Sequence, residues 1–377
     1  MGAASARTSQ RIGDLPSPAT GSTGARVGGL ICELVAPRHF ELREQPAPEA
    51  GAGEAVVRIS AVGICGTDLH YFAGRPRAGA WTGGPWVLGH DASAVVESVG
   101  PGAAADLVGR RVTIDPKWTC GVCEWCRAGR ASLCPAQYYL GMSSPGCLAE
   151  QVAVPTAQLV PLPPGVSDAA ATCLEPVAVA LELEKLALPL LLRARQAAIV
   201  GGGPLGIIVA SVLSARGWTP SVFEPLELRR ELAARCGIAA LPAEPADLGP
   251  EPRLVVETSA SPQGVALAGQ LCTAGSVVGV VGNAPTGIAH QVLLGQGVTV
   301  VPVRGGAGHY PEAVRLAAGG AVAGEELVTH RRPLAEVQEA FEEATGRPGT
   351  VLRTMLSFPS ARATGDPVPD GASQAGR

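Results

Sequence analysis

Cys120, Cys123, Cys126 and Cys134 follow the spacing C-x2-C-x2-C-x7-C, which places four thiols within fifteen residues. Thiols this close together either pair as disulfides or converge on one metal ion, and both outcomes fix a small lobe. Four thiolates suit tetrahedral zinc, and four protein ligands leave no coordination position open, so the lobe is read as structural. Disulfides are the weaker reading, because no secretory signal precedes them and the spacing is regular. A ferredoxin-like cluster run has a third gap of three residues rather than seven.

A closed lobe performs no chemistry, so the reactive centre is sought elsewhere. Upstream, Cys65 sits in GICGTDLH and His90 in GHD; further on, Glu175 sits in CLEPVAVAL. One thiol, one imidazole and one carboxylate make three protein ligands and leave a fourth position for water or substrate, the arrangement of a catalytic zinc. Taken singly, each residue is ordinary: a core cysteine, a hydrogen-bonded histidine, a helix start.

A third pattern lies beyond residue 195. The apolar run QAAIV leads directly into Gly201-Gly202-Gly203-Pro204-Leu205-Gly206 and then into IIVASVLSARG. This is a strand, a G-x-G-x-x-G turn and a helix, with Gly201, Gly203 and Gly206 in the fingerprint places. Residues without side chains let the backbone turn tightly and approach a pyrophosphate at the helix N-terminus. A second strand, SVFE, ends at Glu224, eighteen residues past Gly206. There a carboxylate can accept hydrogen bonds from both ribose hydroxyls of an adenosine and repel a 2′-phosphate, which favours NAD over NADP. Arg229 weighs the other way, because a nearby arginine can accommodate that phosphate.

GICGTDLH, GHD, the cysteine ladder, LEPVAVAL and the glycine turn, in this order over about residues 28 to 357, resemble the zinc-dependent medium-chain dehydrogenases. The likeness is greatest to the sorbitol, threonine and butanediol branch and to the cyclitol dehydrogenases of aminoglycoside biosynthesis. It implies an α/β protein in which an irregular, GroES-like β-barrel catalytic domain is joined to a doubly wound, parallel-sheet Rossmann domain. It also implies two zinc ions, one catalytic and one structural, and a homodimer or homotetramer. The reaction implied is hydride transfer between NAD and a secondary alcohol or ketone of polyol, cyclitol or amino-alcohol type. Thr67 and His70 fall on the positions that relay the substrate's hydroxyl proton to solvent in such enzymes. A catalytically inactive relative that only binds a nucleotide or a partner is the rival reading, and retention of Cys65 and His90 argues against it.

The domain reading is a disordered extension over 1–27, a catalytic domain over 28–188 with the cysteine lobe at 118–136, and a nucleotide domain over 189–308. The chain then returns to the catalytic domain over 309–358 and ends in a disordered tail over 359–377. A net charge of −4 gives no basic footprint for nucleic acid. No run reaches the roughly 18 apolar residues of a membrane span. Metal-ligating thiols require a reducing compartment, so a cytoplasmic location is expected. The chain has only two lysines, Lys117 and Lys185, among 29 basic residues, which reads as coding bias.

Three places depart from the family pattern. Asp91 stands where GHE is usual, and its shorter side chain leaves the third ligand open between Glu175 and Asp91. The stretch from Cys236 to Val255 is Pro-rich and short, which suggests a trimmed helix. Arg304 replaces smaller residues near the cofactor region and carries no assigned role. Trp81, Trp86 and Tyr71 lie near the ligand loops as candidate pocket walls, while Asp68 and Glu257 are expected to orient their neighbours.

Overall fold

The computed structural model describes residues 24–75, 85–191, 195–244, 251–347 and 349–358. Trp81, most of the N-terminal extension and the tail from residue 359 lie outside them.

Alternating β-branched and small residues build an antiparallel sheet from short strands. Its order is Leu159–Pro161, Arg111–Ile114, Asp91–Val99, Glu54–Gly63, Ala149–Pro155, Arg26–Ala36 and His39–Gln45. Arg26 and Val27, read from sequence as part of the extension, instead begin a strand and pair with Ala153 and Val152. The reason is local: Val27 packs on the barrel core and Arg26 meets Glu54 at 2.5 Å. Phe40, Phe72 and Phe341 join three distant segments, with ring centroids 4.8 to 5.4 Å apart, and so anchor the C-terminal helix Val337–Gly346 to the barrel.

From Gln196 the pattern changes to a six-stranded, all-parallel sheet. Numbered along the chain, its strands lie in the order third, second, first, fourth, fifth, sixth. The order reverses between Gln196–Val200 and Leu254–Glu257, and in such sheets the crevice at the carboxyl ends of the strands flanking that point holds the ligand. Gly201 and Thr258 occupy those two ends. Between Ala239–Leu241 and Leu254–Glu257 the described residues contain no helix, and residues 245–250 of the Pro-rich stretch lie outside them.

The sequence boundaries need adjustment at two helices. Leu174–Ala187, placed at the end of the first domain, and Tyr310–Ala318, placed in the return, both pack in the apolar cluster of the parallel sheet. Leu174–Ala187 is buried on nearly every side, which requires neighbours from both halves. The chain rejoins the barrel at Val328–Pro333 and ends with Arg353–Ser357, which pairs antiparallel with Glu54–Gly63. That last pairing brings a C-terminal arginine beside the ligand loops. No helix among the described residues is long and apolar enough to cross a membrane.

Candidate active site

Cys65 caps the short helix Gly66–Phe72, and Asp68, three residues on, turns back to receive the Cys65 backbone N–H at 2.9 Å. The other oxygen of Asp68 receives the Gly89 N–H at 3.2 Å and lies 3.5 Å from His90 Nδ1. One buried carboxylate therefore positions both ligand loops, which is the orienting role expected of Asp68.

The structure brings Cys65, His90 and Asp91 together, with their donor atoms within 4.8 Å of one another. Burial disfavours a protonated His90, but the charges of Asp68 and Asp91 outweigh it and raise the imidazole pKa well above the ordinary value. The site thus has a negative field suited to a cation. Asp91 gives one oxygen to the Arg353 guanidinium, while its Oδ1, 3.9 Å from His90 Nε2, is buried and has no hydrogen-bond partner among the described residues. A buried carboxylate oxygen left bare is costly unless a donor or a metal satisfies it. Thiolate, imidazole and carboxylate together match zinc. Room for the arginine comes from Gly63, where a Cβ would lie 2.5 Å from Arg353 Nη2.

Glu175 lines the same cavity but lies outside that donor cluster, and Tyr139 donates its hydroxyl to Glu175 Oε1 at 2.7 Å. Burial, reinforced by the charge of Asp91, raises the Glu175 carboxyl above its usual range. The Tyr139 ring stands edge-on to His90, with centroids 5.7 Å apart.

The second donor group is Cys120, Cys123, Cys126 and Cys134. Backbone N–H groups point at the sulfurs, from Cys123 to Cys120 at 3.4 Å and from Cys126 to Cys123 at 3.5 Å. Such donors stabilise thiolates, and backbone N–H groups, led by that of Val122, lower the Cys120 thiol to about 7. All ten cysteines are free, so no disulfide competes for these sulfurs.

A cavity of about 930 Å³ joins the Cys65–His90 centre to the crevice of the parallel sheet. Gly201, Gly203, Pro204, Leu205, Glu224 and Arg229 line its far end, and Thr67, His70 and Tyr71 the near end. The glycine turn is built for close approach: a Cβ on Gly206 would lie 1.8 Å from the Gly201 carbonyl, whereas one on Gly203 would meet nothing within 4 Å. The open face at Gly203, the N-cap of Pro204–Ala215, is the cradle a pyrophosphate requires. Glu224 receives the Gly202 N–H at 2.7 Å and the Leu226 N–H at 3.0 Å, with Arg229 at 3.7 Å, so it braces the turn it faces. Glu257 receives the backbone N–H groups of Ser259 and Ala260 and so shapes the opposite wall.

Trp86 is a packing residue rather than a pocket wall: its indole N–H bonds the Gly141 carbonyl at 3.0 Å and its ring packs on the barrel core. Sequence reasoning missed Arg353, Tyr139 and Lys117. Arg353 and Tyr139 carry no local motif; the rarity of lysine was the one available signal for Lys117, and it was read as composition.

Residues 51–164 match the alcohol dehydrogenase GroES-like domain. L-threonine 3-dehydrogenase of Pyrococcus horikoshii is 33% identical over 198 residues, which are 52% of this chain and 56% of that protein. The chain thus spans little more than half the length of that relative. L-galactonate-5-dehydrogenase of Escherichia coli is 25% identical over 342 residues, 87% of this chain and 98% of that one. The fold is shared with an Escherichia coli CFT073 alcohol dehydrogenase complexed with the cofactor NADH, at a TM-score of 0.79 and 23% identity over 88% of this chain and all of that one. Residues 51–164 thus carry an alcohol dehydrogenase GroES-like domain, and the chain as a whole is similar to the dehydrogenases named above.

Proposed function

We propose that this protein is a zinc-dependent alcohol dehydrogenase that moves a hydride between NAD and a secondary alcohol of polyol, cyclitol or amino-alcohol type. One observation carries the reading: the Cys65–His90–Asp91 centre and the glycine-turn crevice open into a single cavity. Cys65, His90 and Asp91 would hold the catalytic zinc, and Cys120, Cys123, Cys126 and Cys134 the structural one. When bound, zinc supplies Lewis-acid polarisation of the substrate oxygen, and NAD supplies the hydride acceptor. The rest falls to this chain. Asp68 fixes the two ligand loops, Arg353 neutralises the half of Asp91 turned away from the cluster, and Tyr139 fastens Glu175. The Thr67 hydroxyl takes the substrate's hydroxyl proton and His70 passes it outward, since imidazole exchanges protons near neutral pH. A cytoplasmic homodimer or homotetramer belongs to the same proposal.

The direct test is absorbance at 340 nm with NAD and a panel of polyols, cyclitols and amino alcohols. Formation of NADH with at least one secondary alcohol is expected; zinc-loaded, NAD-binding protein that is silent on every alcohol overturns the reading.

Cofactor choice rests on Glu224. Its carboxylate would meet the ribose of NAD with hydrogen bonds and the 2′-phosphate of NADP as a like charge, with Arg229 as counterweight. The wild type should therefore prefer NAD by about ten- to a hundred-fold in kcat/KM, roughly 1–3 kcal/mol. Glu224→Ala should lose most of that preference, mainly through KM for NAD, because the contact is the same in ground and transition states. Steady-state kinetics with both cofactors decide it; a wild type that prefers NADP places the choice with Arg229 instead.

A further inference from the structure

Ala260 is one of two non-glycine residues among those described whose backbone is left-handed, with φ +54. A Cβ is crowded by the backbone in that region, and a residue other than glycine rests there only when its surroundings hold it. The holder is Glu257, three residues earlier, at the end of the strand Leu254–Glu257 and 1% exposed. Its Oε1 receives the Ser259 N–H and the Ser259 hydroxyl, each at 2.7 Å, and the Ala260 N–H at 3.0 Å. Its Oε2 is buried with no hydrogen-bond partner among the described residues. A carboxylate accepts more strongly than a neutral amide, and here its donors converge on the oxygen that holds the strained residue.

The segment held in this way forms part of the cavity wall, through Thr258, Ser259, Ala260 and Ser261. It also rests directly on the glycine turn. A Cβ on Gly201 would lie 2.9 Å from both the N and the Cα of Ser259, and one on Gly206 would lie 2.9 Å from Thr258 Oγ1. That hydroxyl donates towards the carbonyls of Val200 and Gly201, at 2.9 and 3.1 Å. The main chain at Glu257 is fixed separately, since its carbonyl receives the Val281 N–H at 3.1 Å and the Gly282 N–H at 2.9 Å. A segment that only had to join the strand to the helix Pro262–Gln270 would have many unstrained conformations; the strained one is the one in which Ser259 backs Gly201.

We propose that Glu257 is a positioning residue for the cofactor: its carboxylate holds Ala260 left-handed, which keeps Ser259 against Gly201 and so fixes the form of the turn that would take the pyrophosphate. This deepens the dehydrogenase reading and rests on its nucleotide crevice. Without the carboxylate, Ala260 is free to return to negative φ, Ser259 withdraws, and the turn loses its support. Glycine at position 260 would take the left-handed conformation without strain, so it should make the holder largely dispensable.

The test is fluorescence titration with NADH of the wild type, Glu257→Gln, Ala260→Gly and the double variant, each also followed by thermal unfolding. Glu257→Gln should raise the Kd for NADH at least about fivefold, the scale of a weakened hydrogen-bonded clamp. Ala260→Gly alone should stay within about twofold of wild type, and the double variant should recover most of the loss. In steady state, Glu257→Gln should raise the KM for NAD while kcat at saturating NAD stays within about twofold, because the cofactor contact is the same in ground and transition states. Should Glu257→Gln fail to fold, Glu257→Asp, which draws the carboxylate back by one methylene, takes its place in every arm. Unchanged NADH affinity in the Glu257 variant overturns the proposal. A loss that Ala260→Gly does not restore overturns it too, since Glu257 then acts as a general prop rather than through Ala260. A wild type that binds neither NADH nor NADPH overturns the dehydrogenase reading itself, and this role with it.

Discussion

Replacing His90 by Ala should leave a folded protein that forms NADH at less than about one-thousandth of the wild-type rate. The imidazole is one of three donors in the Cys65–His90–Asp91 group, and a site with two protein ligands holds zinc poorly at neutral pH. Lewis-acid polarisation is worth several kcal/mol, and each 1.4 kcal/mol is a factor of ten, which sets the thousandfold scale. The fold should survive, because among the described residues the polar contacts of the buried His90 ring are with neighbours in the ligand loops, and Asp68 still receives the Cys65 and Gly89 N–H groups without it. Elemental analysis should fall from two zinc ions per chain to one, and titration with NADH should remain near the wild-type affinity, since the glycine turn lies at the other end of the cavity. A His90→Ala protein with near-normal kcat would show that the metal centre described here is not where the reaction occurs.

What sequence alone could reveal divides along a physical line. Contiguous motifs were legible: the cysteine ladder, the CGTDLH loop and the glycine turn each concentrate their chemistry within fifteen residues or fewer, where spacing fixes geometry. Partners that meet only through the tertiary fold were not. Asp91 and Arg353 are 262 positions apart and meet because the final strand returns to pair with Glu54–Gly63. The choice between Glu175 and Asp91 was open in the sequence for the same reason: Glu175 meets Tyr139, 36 positions away, and Asp91 meets Arg353 only through the fold. Boundaries failed where a helix serves both halves: Leu174–Ala187 reads as the end of the barrel domain, yet its apolar surface completes the parallel-sheet core.

The second large effect belongs to the lobe that does no chemistry. Cys134→Ser should lower the zinc content by one ion per chain, cost at least several kcal/mol of stability, and shift thermal unfolding down by roughly 5 °C or more, because binding free energy at a closed site is folding free energy. Cys134 is fully buried, and its sulfur accepts the Cys120 N–H at 3.5 Å, so the substitution also removes a fixed point of the loop. The damage should travel. From within the lobe, Ser132 gives its carbonyl to Lys117 and its hydroxyl to Glu182, and Gly129 gives its carbonyl to Lys185; Glu182 in turn holds His309 at 2.9 Å. These contacts tie the lobe to the Leu174–Ala187 helix and to the loop beyond the last parallel strand. A loosened lobe should therefore raise the KM for substrate as well as lower the melting temperature, whereas His90→Ala should leave the melting temperature much closer to wild type. Measuring both variants by thermal unfolding, metal content and kinetics separates the two centres, and a Cys134→Ser protein with unchanged zinc content and stability would refute the structural role assigned to the four cysteines.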